Sequence, residues 1–329
     1  MRGPFRSYST IFAKRFQMLN LLFITIGLTF LILGGNWLLK SAVAFSLRLN
    51  ISRIIIGMTI VSFATSAPEL IVSVNAALDG FPDLALSNVV GSNIANLGLV
   101  LAIIVLLGRI DVRKAFYITD WPVMMAASLL FFGFIYFDGI LHPYEGAIML
   151  LFLFLFLIFL LRFQKIAVVE EVHEDDRPLP LYKAVLFLGL GAIALWGGAE
   201  LLVKGSVGLA TFYEVSERVI GITVVSVGTS IPELAASIIA IIKKEKAISL
   251  GNLIGSNIFN LLAVLGVTSM IAPIYVIDQG LLNSDIWWML GISFVILPLV
   301  FFPKGLRLGW RDGIILLSLY SVFLYFTLF

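Results

Sequence analysis

Two short stretches of the chain each place a glutamate directly after a proline within a long apolar sequence. The first is SFATSAPE at residues 62–69 and the second is SVGTSIPE at residues 226–233. Proline lacks an N–H and clashes with the carbonyl four residues earlier, so each should kink a helix and free a backbone carbonyl. Thr65, Ser66 and Glu69 add oxygens within about one turn of the first break. These residue types predict a cluster of carboxylate, carbonyl and hydroxyl oxygens.

Such a cluster, with two negative charges and only oxygen atoms, suits a hard cation. Ca²⁺ binds carboxylates, carbonyls and water and tolerates irregular geometry. Softer metals would be expected to recruit Cys or His, yet the chain has no Cys, and His142 and His173 fall in predicted loops. Hydroxyl-rich subsites beside the carboxylates could hold Na⁺ instead. Competition of the two ions for Glu69 and Glu233 would couple their movements, as an exchanger requires.

The composition places these stretches in a membrane. Of the 329 residues, 60% are hydrophobic and only 13% are charged, whereas soluble domains carry about a quarter charged residues. A net charge of +2 without a dense basic segment argues against a nucleic-acid partner. A glutamate at membrane depth costs about 2.5–3.5 kcal/mol on insertion scales, which makes it a functional-site candidate. The alternative is a neutral, proton-bound glutamate that serves as a hydrogen bond between helices.

The sequence predicts an all-α polytopic membrane protein, because apolar stretches near the length of about 20 residues that spans a bilayer recur along the chain. The ten predicted spans are 19–43, 54–78, 84–107, 117–137, 143–161, 184–210, 219–242, 247–272, 286–302 and 312–328. A basic tail, 1–18, precedes the first span, and a charged linker, 162–183, separates two five-span units, 19–161 and 184–329.

The distribution of Lys and Arg predicts the orientation. Fifteen of the 22 Lys and Arg residues lie in loops on one side of the ten-span arrangement, the side that contains the linker. The positive-inside rule therefore places the linker in the cytoplasm and both termini outside. The basic tail disagrees with this orientation, since its four cations lie on the predicted outer side. Either the later loops outweigh the tail or translation starts nearer Met18.

The two units repeat one another. Residues 57–100 align without a gap with residues 221–264 at a constant offset of 164, and twenty of the forty-four aligned positions are identical. The identities include Thr-Ser-x-Pro-Glu and Gly-Ser-Asn-Ile-x-Asn, which composition alone would not align. Because each unit has an odd number of spans, the second copy enters the membrane from the opposite face. Inverted repeats of this kind are typical of secondary transporters that bind substrate near the membrane midplane.

A second repeated block supports this site. It reads SNVVGSNIANLG in the first unit and GNLIGSNIFNLL in the second. Its small residues allow helices to pack closely in lipid, and Asn96 and Asn260 offer uncharged carbonyl oxygens. For single serines such as Ser62 or Ser226, packing within the helix is the simpler interpretation. Glu200 precedes Lys204 by four residues, which predicts a local ion pair.

These paired motifs resemble the α-repeats of the cation/calcium exchanger superfamily, and are most similar to its prokaryotic sodium/calcium exchanger branch. The resemblance implies that Glu69 and Glu233 bind Ca²⁺ together with the backbone carbonyls of Thr65 and Thr229. It further implies Na⁺ subsites formed by the side chains of Ser66, Ser92, Ser230 and Ser256 and the carbonyls of Ser62 and Ser226, with Asn96 and Asn260 near the middle. Sliding of the first and sixth spans across the core would give alternating access.

The resemblance implies an antiporter in the cell membrane of a prokaryote that exchanges Ca²⁺ for Na⁺, with no enzymatic activity and no cofactor. Ala64 replaces a glycine of the family motif, and some relatives carry Asp where this chain has Asn260, which leaves the number of Na⁺ ions and the role of protons open. Two buried carboxylates close together should not both stay ionised without a cation, so protons are competitors. The alternatives are therefore Ca²⁺/H⁺ antiport and, less favoured by the inverted repeat, a Ca²⁺-permeable channel. The oligomeric state is left open.

Overall fold

The structure is a computed structural model that describes residues 5–163, 179–213, 226–303 and 305–328, and these residues are almost entirely helical. The α-helices are α1 (Phe5–Leu49), α2 (Arg53–Ile56), α3 (Ser62–Thr65), α4 (Ala67–Leu78), α5 (Pro82–Ala95), α6 (Leu101–Leu107), α7 (Trp121–Asp138), α8 (Pro143–Phe163), α9 (Leu181–Phe212), α10 (Ser226–Gly228), α11 (Ile231–Ile242), α12 (Lys246–Phe259), α13 (Gly266–Ile271), α14 (Ile286–Phe301) and α15 (Trp310–Leu328). The strands are β1 (Ile110–Asp111), β2 (Ile140–Leu141), β3 (Ile274–Tyr275) and β4 (Arg307–Leu308).

Seven helical segments of the described residues are long and apolar enough to cross a membrane, and the bent pair formed by α2–α3 and α4 raises this number to eight. The count therefore does not reach the ten predicted spans. In the region of the predicted span 219–242, α11 is shorter than a membrane span, and residues 219–225 lie outside the described part. The last predicted span, 312–328, overlaps α15, which is not among the candidates. Most of the predicted linker, 162–183, also lies outside the described residues.

The first helix differs from its prediction in length. It begins at Phe5, within the predicted basic tail, and continues to Leu49, beyond the predicted end of the first span. Residues 1–4 of that tail lie outside the described part of the chain. Nothing in the sequence of this region breaks a helix, because Pro4 precedes it and Gly34 and Gly35 are tolerated within long membrane helices.

Both predicted kinks occur at the expected places. The helical segments on the two sides of Ser66 are bent by 43° relative to each other. Ser66 and Ser230 have nearly the same backbone angles, with φ −85° and ψ 1° at Ser66 and φ −86° and ψ 1° at Ser230. The proline two residues later lies in the first turn of α4 or α11, where its missing N–H is tolerated. Each kink thus starts a new helix and places its glutamate at that helix's first turn.

The repeated block forms the buried centre of the molecule. Helices α5 and α12 and their continuations are largely buried, whereas α1 and α9 keep most of their surface exposed. The long outer helices pack closely on each other through glycines: a Cβ atom at Gly27 would lie 2.7 Å from the carbonyl oxygen of Gly198, and one at Gly34 would lie 2.9 Å from that of Gly191. The repeat offset relates these two contacts, since it matches Gly27 with Gly191 and Gly34 with Gly198.

Irregular elements also recur in equivalent places. π-Helical segments begin at Asn96 and at Asn260 and continue α5 and α12, respectively. Two short antiparallel ladders join the halves, since β1 pairs with β4 and β2 pairs with β3. Each ladder contains one strand from the first half of the chain and one strand from the second half. The halves are therefore interlocked around one centre rather than packed as separate domains.

A buried ion pair lies at one end of this centre. Arg53, at the start of α2, contacts Glu245, the residue that precedes α12, and both side chains are nearly inaccessible to solvent. The glutamate lies at the helix N-terminus, where the macrodipole favours negative charge. The pair therefore anchors the helix that leads to the first kink against the central helix of the other half.

Candidate cation-binding site

The two repeated glutamates lie in the buried centre of the molecule. Glu69 in α4 and Glu233 in α11 both have no solvent-accessible side-chain surface. In the described part of the chain, neither carboxylate oxygen of Glu69 and only one of Glu233 has a hydrogen-bond partner. No Lys or Arg of the described residues forms an ion pair with them. Burying a charge without a partner is costly, so these carboxylates are suited to a ligand that supplies positive charge.

Hydroxyl groups from both halves surround the glutamates. The Ser66 hydroxyl donates to Glu233 Oε1 over 3.5 Å, which links the kink of the first half to the glutamate of the second. The hydroxyls of Thr65 and Ser256 also face the Glu233 carboxylate. The structure therefore brings the two kinks together at one point.

Two contacts across the halves are equivalent under the repeat. The Oγ1 atom of Thr65 lies 3.3 Å from the Oγ atom of Ser256, and the Oγ1 atom of Thr229 lies 3.0 Å from the Oγ atom of Ser92. The offset of 164 converts one pair into the other. Each kink threonine thus contacts the central helix of the opposite half.

The remaining serines of the predicted set have different surroundings. Ser62 is fully buried, and its hydroxyl contacts the backbone carbonyls of Gly57, at 2.8 Å, and Asn252, at 2.9 Å. Its side chain is therefore occupied in packing. The buried Ser230 hydroxyl has no partner among the described residues. Ser226 begins α10, and its side chain lies outside the described part.

The two predicted asparagines lie at the centre, each at the start of a π-helical segment. Asn96 and Asn260 are fully buried. Neither amide atom of Asn96 has a hydrogen-bond partner in the described residues. Asn260 donates to the Oδ1 atom of Asn93 over 3.1 Å, but its own amide oxygen accepts no bond there. Unpaired amide oxygens in a buried site can act as neutral cation ligands.

The sequence interpretation missed two further pairs of asparagines in the same block. Asn252 accepts a hydrogen bond from Thr65 over 3.2 Å and donates to Ser237 over 3.4 Å. Its repeat equivalent, Asn88, donates to Ser73 over 3.0 Å. The second pair is Asn93 and Asn257, joined by a bond of 3.2 Å from the Asn93 amide to the Asn257 backbone carbonyl. The signal was present, because all four residues are identical between the copies at the offset of 164.

A cavity of about 410 Å³ reaches the site from one side. It is lined by both kink prolines, Pro68 and Pro232, and by Thr229, Glu200 and Lys204. The predicted ion pair between Glu200 and Lys204 is not formed, because the ammonium group lies over the Phe23 ring, 5.3 Å from its centroid. We refer to this space as the kink cavity. Both Glu200 and Thr229, a residue of the candidate site, line the kink cavity.

The arrangement offers carboxylate, hydroxyl, amide and backbone oxygens, and no imidazole or thiolate among the named residues. This donor set is the one that hard cations prefer. Two carboxylates can neutralise one divalent ion, and the hydroxyl and amide groups beside them can complete its shell or hold a monovalent ion. The site also lies at the centre of the molecule, between the two interlocked halves.

Comparison with known proteins agrees with this chemistry. The family model described as sodium/calcium exchanger protein matches residues 19–162 and 183–329. A putative antiporter, CaxA, of Alkalimonas amylolytica is 39% identical over 294 residues, which cover 88% of this chain and 90% of the relative. The sodium/calcium exchanger MaX1 of Methanosarcina acetivorans is 29% identical over 353 residues, covering 93% of this chain and 97% of the relative.

A solved structure extends the likeness to the fold. The sodium-calcium exchanger NCX_Mj superposes with a TM-score of 0.78 at 27% identity, covering 93% of this chain and 97% of that protein. The family match includes both halves of the chain and the segments that form the candidate site. The chain therefore belongs to the sodium/calcium exchanger family of membrane cation exchangers.

Proposed function

We propose that this protein is a secondary active antiporter that exchanges Ca²⁺ for Na⁺ by alternating access. One observation carries the proposal. Glu69 and Glu233 are fully buried at the meeting point of the two halves, are surrounded by hydroxyls and amides, and have no basic partner among the described residues. Family membership, and relatives described as a sodium/calcium exchanger and a putative antiporter, support the choice of ions.

In this proposal the two glutamates bind Ca²⁺ with the backbone carbonyls of Thr65 and Thr229. Na⁺ occupies subsites formed by the hydroxyls of Ser66, Ser92, Ser230 and Ser256 and the carbonyls of Ser62 and Ser226, with Asn96 and Asn260 near the middle. Because Ca²⁺ and Na⁺ draw on the same carboxylates, each ion displaces the other. This competition couples their movements in opposite directions.

The proposal includes ten membrane spans arranged as two inverted units, 19–161 and 184–329, with a basic tail, 1–18, and a cytoplasmic linker, 162–183. Support comes from the equivalent kinks, π-helical segments and strand pairs of the two halves. The linker-side excess of Lys and Arg supports a cytoplasmic linker and extracytoplasmic termini in a prokaryotic cell membrane. Helices α1 and α9, which pack on each other outside the core, are the elements proposed to slide.

The proposal is tested by uptake of ⁴⁵Ca²⁺ into proteoliposomes. We expect uptake into vesicles loaded with Na⁺ and none into Na⁺-free vesicles. Glu69→Gln and Glu233→Gln should each reduce uptake to the level of empty vesicles, because a neutral amide cannot balance the charge of a divalent ion in a buried site. Glu145→Gln is a matched control, since Glu145 is buried yet bonded to the backbone N–H of His142. Uptake that persists in both site variants would refute the proposed site.

A proton-coupled exchange of Ca²⁺ is the second candidate. It is favoured by the absence, in the described residues, of a basic partner for either glutamate. Two such carboxylates must bind a cation or a proton in every state of the cycle. An imposed pH gradient in Na⁺-free vesicles separates the candidates, because only a proton-coupled antiporter should then accumulate Ca²⁺.

A further inference from the structure

A second cavity, of about 620 Å³, lies between α1, the start of α9 and the loop that joins α11 to α12. Three lysines line it from these three elements: Lys40, Lys183 and Lys243. We refer to this space as the lysine cavity. The rest of its wall is largely apolar and includes Leu39, Val43, Ala44 and Phe187. A concave apolar space with a few converging groups of one charge is typical of a binding site.

The lysine cavity carries a net positive charge. Glu245 is the one carboxylate among the residues that line it, and the buried ion pair with Arg53 already neutralises this group. Neither Lys40 nor Lys243 forms an ion pair in the described part of the chain. Three exposed lysines therefore line one space, and the one carboxylate that lines it among the described residues is already paired. The Lys183 ammonium group lies 6.0 Å from the centroid of the Tyr182 ring, at the edge of this space. A bound anion would offset the repulsion between the three cations.

The three lysines of this cavity are not a product of the sequence repeat. The repeat offset of 164 matches Asn36, Leu39 and Lys40 of the lysine cavity with Glu200, Val203 and Lys204 of the kink cavity. The other two lysines have no basic counterpart, since Lys183 corresponds to Leu19 and Lys243 corresponds to Asp79. The charge of the lysine cavity is therefore specific to this part of the molecule.

We propose that the lysine cavity binds a phosphate group, supplied by the headgroup of an anionic phospholipid. Lysine is a compact point charge that suits phosphate oxygens, and basic pockets between membrane helices bind such headgroups. The neighbouring residues favour a lipid as the source. Tyr182, Val185 and Leu186 beside Lys183 are exposed apolar or aromatic side chains, which can contact acyl chains. Lys40 lies nine residues before the end of α1, about 14 Å along the helix, and can extend toward the headgroup level.

The bound headgroup would connect the outer helices to the core. Lys40 and Lys183 belong to α1 and α9, whereas Lys243 belongs to the loop before the central helix α12. A ligand that requires all three ammonium groups favours the conformation in which they converge. This consequence, unlike the binding itself, rests on the proposed sliding of α1 and α9 during transport.

Native mass spectrometry of the full chain in neutral detergent tests the binding. We expect one molecule of phosphatidylglycerol to stay bound, and none of phosphatidylcholine. The triple variant Lys40→Gln, Lys183→Gln, Lys243→Gln should bind phosphatidylglycerol on the order of 100-fold more weakly, at about fivefold per lysine. The control triple Lys114→Gln, Lys204→Gln, Lys244→Gln removes the same charge from exposed positions outside the lysine cavity and should bind like the unmodified protein. Equal affinity in the two triples would overturn the proposal.

Three further measurements complete the test. Inorganic phosphate at millimolar concentration identifies the source: displacement of the lipid would assign a general phosphate site, and its failure to compete would assign the lipid headgroup. The single variant Lys40→Arg, which keeps the charge, should retain binding. Its retention would show that the triple Gln variant loses affinity because charge is removed, and not because the fold changes. Glu69→Gln should bind the lipid normally although it is expected not to transport, so failure of the transport proposal and failure of the lipid proposal are distinguishable.

Discussion

At the scale of single residues, Ser66 is the most informative side chain of the candidate site. It lies at the first kink, and its hydroxyl reaches the glutamate of the other half at 3.5 Å. Thr65 faces the same carboxylate but also bonds to Asn252, so its removal would disturb packing as well. Ser66 therefore reports on ion binding with the least structural interference.

We predict that Ser66→Ala raises the half-saturating Na⁺ concentration by about two- to tenfold, the range expected for the loss of one hydrogen bond of ordinary strength. Maximal exchange should change less. The measurement is Na⁺-dependent ⁴⁵Ca²⁺ uptake over a range of internal Na⁺ concentrations. Ser321→Ala is the control, because the Ser321 hydroxyl is exposed and bonds to the backbone of its own helix. An unchanged Na⁺ dependence in Ser66→Ala would exclude its hydroxyl from the Na⁺ site.

At the scale of elements, the ion pair between Arg53 and Glu245 determines how the first kinked helix is held on α12. Backbone contact makes the packing tight, since a Cβ atom at Gly57 would meet the backbone of α12 near Ile248 and Asn252. The repeat offers no equivalent pair, because Phe81 is the counterpart of Glu245. The sequence therefore predicts no equivalent of this ion pair at the other end of the centre.

We predict that Arg53→Ala destabilises the protein by about 3–5 kcal/mol, since it leaves a buried charge without its partner. The double replacement Arg53→Met, Glu245→Met should recover most of this loss. The measurement is the apparent Tm of the purified protein in detergent. Arg307→Ala is the matched control: its pair with Asp111, at 3.1 Å, is half-exposed, and its loss should cost less than about 1 kcal/mol. A double variant as unstable as Arg53→Ala would contradict the argument.

At the scale of the whole molecule, the proposed transport cycle requires α1 to move relative to α11. The two helices touch where a Cβ atom at Gly35 would lie 3.4 Å from the Cβ atom of Ile239, close to the separation in a disulfide. The chain contains no cysteine, so an introduced pair reacts alone. This contact therefore offers a direct test of relative movement.

We predict that the variant Gly35→Cys, Ile239→Cys loses exchange activity on oxidation and regains it on reduction. The physical reason is that a disulfide prevents α1 from sliding along the core. The measurement is ⁴⁵Ca²⁺ uptake before and after oxidation, with each single cysteine variant treated in parallel. Full activity in the cross-linked protein would rule out sliding at this contact.

The amino-acid sequence predicted a helical membrane protein, both kinks and the two glutamates around which the candidate site is built. Each of these depends on local chemistry: apolar length, the missing N–H of proline, and a carboxylate in an apolar stretch. The gapless repeat also indicated that the two kinks should meet, and the contacts between Thr65 and Ser256 and between Thr229 and Ser92 agree with that expectation. The family assignment from the same motifs was confirmed.

The partners of the polar side chains could not be predicted from the sequence and became clear from the folded structure. It placed the Ser62 hydroxyl in packing, left the amide of Asn96 without a partner among the described residues, and brought Asn252 to Thr65. It also separated Glu200 from Lys204 and gathered three lysines from distant parts of the chain into one cavity. Spacing along a helix shows which residues share a face, but contacts between distant segments depend on how the helices cross and pack.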